Sequence, residues 1–157
     1  MSRTTRATVA LDRAGATYTV HTYDYDPNAD RIGLAAAEAL GVAPARMLKT
    51  LMALVDRKPV CVVLASDREV SMKALAAAVG GKSAEMMRPA DAERITGYHV
   101  GGISPFGQKK PVPVVLDAAA LDHPQVFLNG GQRGVQVELP PAEIARVLGA
   151  KTAAVAV

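Results

Sequence analysis

Aromatic side chains are scarce in this 157-residue chain: four tyrosines, two phenylalanines and no tryptophan. Half the residues are nevertheless apolar, so a core must be assembled mainly from Val, Leu, Ala and Ile. Cysteine occurs once, as Cys61, which excludes an internal disulfide. The histidines His21, His99 and His123 are scattered, and none pairs with a Cys or carboxylate at metal-ligand spacing. No run of about 18 apolar residues is present, which excludes a transmembrane helix. The N-terminal MSRTTRATVALDRAG has arginines but no apolar signal-peptide core, because Asp12 and Arg13 interrupt it. A cytoplasmic protein is the simplest expectation. No Ser-, Gly- or Pro-rich linker divides the chain and no repeat is visible, so residues 1–157 read as one domain. The charged fraction of 21% argues against disorder. A net charge of +3 and a pI near 9.2 suit an encounter with RNA without requiring one.

What is present reads as short helices and strands. Helices are expected at Thr5–Arg13 (capped by Thr4 or Thr5), Leu34–Leu40 (ended by Gly41), Ser71–Val79, Pro89–Ile95 and Pro141–Leu148. Strands are expected at Thr17–Tyr23, Pro59–Ala65, Ala84–Met87, Val112–Asp117, Gln125–Leu128 and Val135–Leu139, with a short edge strand from the tail KTAAVAV. The segment Met47–Val55 is apolar and ambiguous between helix and strand. About seven strands with short surrounding helices predict an α/β or α+β domain built on one mixed, strongly curved sheet.

Several tempting chemistries fail on their own terms. Gly80-Gly81-Lys82-Ser83 has Ala76 where a phosphate loop needs glycine, and a helix rather than a strand precedes it. Cys61 lies among valines, the setting of a packing cysteine. Ser104 precedes Pro105 outside any G-x-S-x-G context, and His99 is its only neighbouring base in sequence.

Two segments keep a functional reading open. Lys49, in Met47-Leu48-Lys49-Thr50-Leu51-Met52, is either a surface lysine with a buried stem or a cleft lysine holding an anionic or hydroxyl-rich ligand. The run GYHVGGISPFGQKK (97–110) breaks helix and strand alike. Its Gly101 and Gly102 either kink a strand or let a ligand approach backbone N–H groups closely. Lys109 and Lys110 read as a solvated strand entry or as phosphate contacts.

Taken together, His21-Thr22-Tyr23, Lys49-Thr50-Leu51, Thr96-Gly97-Tyr98, GGISP (101–105), GQKK (107–110), Gly130-Gly131 and Arg133-Gly134 resemble the YbaK/EbsC family of aminoacyl-tRNA deacylases. That family comprises the freestanding relatives of the editing domain in bacterial prolyl-tRNA synthetases, and the resemblance runs nearly end to end.

It implies a mixed α/β domain with a barrel-like central sheet and no cofactor. It also implies removal of cysteine from Cys-tRNA(Pro), and from Cys-tRNA(Cys), in a pocket without a protein nucleophile. The substrate's own thiol would attack its ester. The implied catalytic set is Lys49, holding the terminal ribose or phosphate, with Gly101, Gly102 and Ser104 offering N–H groups to the oxyanion. Tyr23, Ile103, Pro105, Phe106, Asn129, Gly130, Gly131 and Gln136 would bind the aminoacyl group. Lys109, Lys110 and Arg133 would touch tRNA, and prolyl-tRNA synthetase would be the partner protein. Some members place an acidic residue where this chain has Gln136; an Asp there could take the α-ammonium, whereas Gln offers only neutral hydrogen bonds. Alternatives are a deacylase of Ala-, Ser- or Thr-tRNA that uses water, or a binding module without catalysis.

Overall fold

A computed structural model describes residues 4–157. The first helix, α1 (Arg6–Arg13), begins at Thr5. The Thr5 hydroxyl accepts the Thr8 N–H at 3.1 Å, and the Thr8 hydroxyl accepts the Thr5 N–H at 2.8 Å. This reciprocal pair satisfies two donors that the helix itself cannot. Strand β1 (Thr19–Thr22) follows, then helix α2 (Ile32–Leu40), which begins two residues before the expected Leu34 and ends at Gly41 in the left-handed region.

The ambiguous segment resolves as a strand. β2 (Leu48–Val55) pairs antiparallel with β3 (Lys58–Ala65) over all eight residues. Asp56 and Arg57 turn between them with φ of 48° and 70°, the mirror-image turn that matches strand twist. The Asp56 carboxylate accepts the N–H groups of Lys82 and Ser83 at 3.1 Å. Backbone donors of the GGKS run are therefore engaged by a carboxylate, which agrees with rejecting a phosphate loop.

The remaining elements are α3 (Met72–Ala78, capped by Ser71), β4 (Ala84–Met86), α4 (Pro89–Thr96), β5 (Val114–Asp117), β6 (Val126–Asn129), β7 (Val135–Leu139), α5 (Pro141–Leu148) and β8 (Lys151–Ala153). The tail thus supplies the expected edge strand, and the described residues form eight strands rather than about seven.

The mixed α/β class stands, but the expectation of a barrel-like central sheet is corrected. There are two sheets: an antiparallel one in the order β1-β7-β6, and a mixed one in the order β4-β2-β3-β5-β8, in which β3–β5 and β5–β8 are parallel. Among the described residues a single parallel bridge, Met47 to Phe127, joins them. Strand length explains why they do not close. β4 covers only Ala53–Val55 of β2, and the chain turns into α4 at Pro89. The last link on that edge is the Met87 N–H donating to the Met52 carbonyl at 3.1 Å. Leu48–Leu51 of β2 consequently pair with β3 on one side only. Peptide groups alternate in direction along a strand, so the N–H and C=O of Thr50 point, like those of Met52, to this open edge.

Apolar burial fixes these parts around the gap. Leu48 and Met52 of β2 join Leu11 of α1, Val126 and Leu128 of β6, Val137 and Leu139 of β7, Ile144 of α5 and Phe106 in one cluster. On the other face α3 lays Leu75 and Ala76 on Val62, Leu64, Val115 and Val155. Ala36 and Ala37 of α2 cover Met47 and Phe127 at the junction of the sheets. Burying each Val, Leu or Phe side chain contributes about 1.5–3 kcal/mol, supplied here with almost no aromatic residues, as the composition required.

Candidate active site

The glycine-rich segment 97–110 is a closed loop with a built interior. Gly97 ends α4 in the left-handed region, and the buried Tyr98 donates its hydroxyl to the Phe106 carbonyl. The Val100 N–H donates to the Glu93 carboxylate at 2.7 Å, and the Gly102 N–H to the His99 carbonyl at 2.8 Å. Ser104 is fully buried; its hydroxyl accepts the Phe106 N–H, and its carbonyl accepts the Gln108 side chain at 3.0 Å. The neck is closed by the N–H groups of Lys109 and Lys110, which donate to the carbonyls of Thr96 and Ile95. The GQKK motif therefore ties the loop off. Gly107, at φ 67°, passes so close to the Arg6 carbonyl that a Cβ would collide with it.

This loop forms one wall of a cleft of about 540 Å3. The floor is the open edge of β2, residues Leu48–Met52. Around it stand the start of α2 (Asp30–Leu34), the turn after β3 (Ser66, Asp67, Glu69), the passage from β4 into α4 (Met86, Met87, Pro89, Ala92), Val100, Gly101 and Ile103 of the loop, and Asn129 and Gln136 from the smaller sheet. The gap that keeps the sheets from closing is the gap in which the cleft lies.

Several polar groups in the cleft lack partners. Among the described residues the Lys49 ammonium forms no ion pair or hydrogen bond, although Asp30, Asp67 and Glu69 line the same cleft. The Thr50 hydroxyl and the Gln136 amide oxygen are buried and unpartnered. The N–H groups of Gly101 and Ile103 donate to no protein acceptor among the described residues. Asn129 holds this wall in position: its Nδ2 donates to the Gly101 carbonyl at 3.2 Å, while its Oδ1 accepts the N–H groups of Gly131 and Gln132 at 2.7 and 3.0 Å.

No nucleophile–base pair accompanies these groups among the described residues. His99 is 98% exposed at its side chain and leans on Glu93, away from the buried Ser104. Burial pushes the Cys61 thiol up to about 12, against a small lowering by Gln108, so it stays protonated. No cluster of His, Cys, Asp or Glu suited to a metal occurs among the described residues.

Of the residues anticipated from sequence, the cleft lining brings together Lys49, Gly101, Ile103, Asn129 and Gln136. Gly102, Ser104, Pro105 and Phe106 form the loop's buried interior, and Phe106 belongs to the main core. Gly130 and Gly131 shape the β6–β7 turn: the Gly130 carbonyl accepts the Thr5 hydroxyl and its N–H donates to Val135. Tyr23 packs with Ala36, Ala37, Met47 and Phe127 beneath α2. Lys109 and Lys110 are exposed and outside the lining. Arg133 is folded inward onto carbonyls of the loop before α2. The sequence reading did not anticipate the start of α2 or the Ser66–Glu69 turn as cleft walls. Neither carries a motif; each reaches the cleft through packing such as Gly33 against Ser66.

Comparison with known proteins supplies the chemical context. The aminoacyl-tRNA editing domain family matches residues 26–147. The chain belongs to that family. Membership agrees with the resemblance drawn from the loop motifs. EbsC of Enterococcus faecalis, named by inference a Cys-tRNA(Pro)/Cys-tRNA(Cys) deacylase, is 39% identical to this editing domain over 109 residues, or 69% of this chain and 66% of EbsC. A proline–tRNA ligase of Acidithiobacillus ferrooxidans is 32% identical over 85 residues, which span 54% of this chain but only 15% of the ligase. The multifunctional Ser/Thr-tRNA deacylase ProXp-y of Escherichia coli is 24% identical over 90% of this chain and 86% of its own. A crystal structure of an inferred trans-editing enzyme for prolyl tRNA synthetase superposes with a TM-score of 0.85 at 24% identity, covering 97% of this chain and 95% of that one; it shares the fold. Among the described residues of the editing domain, no helix is long and apolar enough to cross a membrane.

Proposed function

We propose that the chain removes cysteine from mischarged Cys-tRNA(Pro), and from Cys-tRNA(Cys), by letting the substrate attack itself. The observation that carries this reading is a cleft holding uncommitted hydrogen-bonding groups and, among the described residues, no nucleophile paired with a base. The N–H groups of Gly101 and Ile103 suit the carbonyl oxygen of an aminoacyl ester. The buried Gln136 oxygen can accept one hydrogen bond from its α-amino group without offering a countercharge, and the Lys49 ammonium suits the terminal ribose or phosphate.

In the reaction the cysteinyl sulfur attacks its own ester carbonyl. A carbon–sulfur bond forms, the carbon–oxygen bond to the ribose breaks, and the thiol proton passes to the departing ribose hydroxyl. The resulting cyclic thioester is then hydrolysed by water. Because attacker and target lie in one molecule, the protein contributes shape, and holding a near-attack geometry contributes up to about 7–11 kcal/mol. Each N–H aimed at the developing oxyanion contributes roughly 3 kcal/mol. Selection against alanine or proline follows because neither carries a thiol. Likeness to EbsC supports the cysteine reading, and likeness to proline–tRNA ligases supports work beside prolyl-tRNA synthetase.

A second reading, water-driven removal of serine or threonine, is favoured by likeness to the Ser/Thr-tRNA deacylase ProXp-y. Ester-loss rates for Cys-, Ser- and Ala-tRNA(Pro), with and without the synthetase, separate the two. Fast loss of the cysteinyl ester alone supports thiol attack; equal loss of the seryl ester refutes it. Lys49→Ala should slow loss about 10–100-fold, the worth of one charged hydrogen bond at about 1.5–3 kcal/mol. Melting temperature should hardly change, because Lys49 has no protein partner. Full activity in that variant would remove Lys49 from the site, and no acceleration of any ester by the wild type would leave a binding module.

A further inference from the structure

We infer that Arg133 is a positioning residue that ties two adjoining walls of the cleft together, and that its guanidinium serves the protein's own backbone in preference to tRNA phosphate. The inference rests on the deacylase reading for its kinetic consequences and on geometry for its substance. Arg133 stands in the β6–β7 turn, beside the Asn129–Gly131 corner that holds Gly101. Its Nη2 donates to the Asp26 carbonyl at 3.0 Å and its Nη1 to the Pro27 carbonyl at 3.3 Å. The guanidinium lies 5.0 Å from the centre of the Tyr25 ring, and Nε is buried without a partner. Its methylenes fill the space over Gly101: a Cβ built there would stand 3.0 Å from Arg133 Cδ and 2.9 Å from Ile32 Cδ1.

One side chain therefore touches both the glycine-rich wall and the loop that delivers α2. That loop has few other ties. The Tyr23 N–H donates to the Gly134 carbonyl, and the Asn28 and Ala29 N–H groups bond only within the loop, to Asp26. Its far end, Asp30–Leu34, is a second wall of the cleft, meeting the first where Ile32 packs against Gly101. A fork of two parallel donors is a geometry that lysine cannot reproduce. Gly101 must stay bare, at φ 94°, for the Arg133 stem to pass.

The test compares Arg133→Met, which keeps the stem and loses the fork, with Arg133→Lys, which keeps the charge. Hydrogen exchange at the amides of residues 23–35 is read first. Both variants should exchange faster there, with the Thr5–Arg13 helix and the melting temperature little changed; unaltered exchange in Arg133→Met overturns the inference whether or not the wild type is a deacylase. Steady-state ester loss from Cys-tRNA(Pro) is read second. A positioning role lowers kcat about tenfold or more in both variants, with KM and its salt dependence preserved, since a displacement near 1 Å costs up to about 100-fold. A phosphate contact gives the opposite pattern: kcat kept, KM raised in Arg133→Met but not in Arg133→Lys, and a salt slope shallower by about 0.7–0.9. That pattern would also overturn the inference. Faster exchange in a protein whose wild type cleaves no ester would leave the strut standing and remove the deacylase reading.

Discussion

Asn129 offers a perturbation whose two consequences can be separated. Its side chain makes three hydrogen bonds, one that restrains the Gly101 carbonyl and two that close the β6–β7 turn. Asn129→Ala removes all three. At about 1 kcal/mol net each, discounted because the site is only partly buried, the loss should be about 1–2 kcal/mol. In a domain of this size that lowers the melting temperature by roughly 3–8 °C. Asn129→Asp is the more telling change. The carboxylate still accepts the Gly131 and Gln132 N–H groups, more strongly than the amide does. It has no donor for Gly101, however, and turns an oxygen toward that carbonyl. Asn129→Asp should therefore melt near the wild type while its ester-loss rate on Cys-tRNA(Pro) falls about 10–100-fold, as expected when a catalytic wall shifts by up to 1 Å. Calorimetry and single-turnover deacylation read the two effects independently. Wild-type turnover in Asn129→Asp would refute the idea that the Asn129–Gly101 bond sets the geometry of the cleft, and an unchanged melting temperature in Asn129→Ala would refute the hydrogen-bond accounting.

Alkaline pH should destabilise the fold in a defined window. Burial raises the Cys61 thiol from 9.0 to about 12, and it raises the Tyr98 phenol from 10.0 to about 12, partly offset by Arg6. The folded protein then keeps protons that the unfolded chain releases, so this stability is complete below pH 9 and is lost as pH rises toward 12. Urea midpoints should fall as pH rises from 9.0 toward about 12, less steeply in Cys61→Ala, and a flat profile would contradict the assignment. Gly107→Ala should cost about 2–4 kcal/mol by denaturant unfolding because the new Cβ meets the Arg6 carbonyl. Gly15→Ala, at nearly the same φ of 68° but with nothing nearby, should cost only about 1–2 kcal/mol; equal losses would show that backbone strain, and not the collision, decides.

Much of this molecule was legible before folding. Caps at Thr5 and Ser71, the stop at Gly41 and the β-branched run of β3 act on their immediate neighbours, so a linear reading finds them. The motif pair GGISP and GQKK marked the loop and led to the family. Element ends were less legible, since Leu34 and Val112 gave way to Ile32 and Val114 once neighbouring strands and turns competed for the same residues.

The chain by itself determined most of its elements, ruled out an internal disulfide through its single cysteine, and marked the glycine-rich loop. Only the tertiary structure decided which residues line the cleft. Lys49 and Thr50 reach the cleft because a three-residue β4 leaves the edge of β2 open. Lys109 and Lys110 close the loop through their backbone, Tyr23 goes under α2, and Arg133 turns inward. The physical reason is range. A cap or a glycine stop is settled within four or five residues, whereas an unpaired strand edge depends on the lengths of strands from distant parts of the chain, and no local pattern carries that sum.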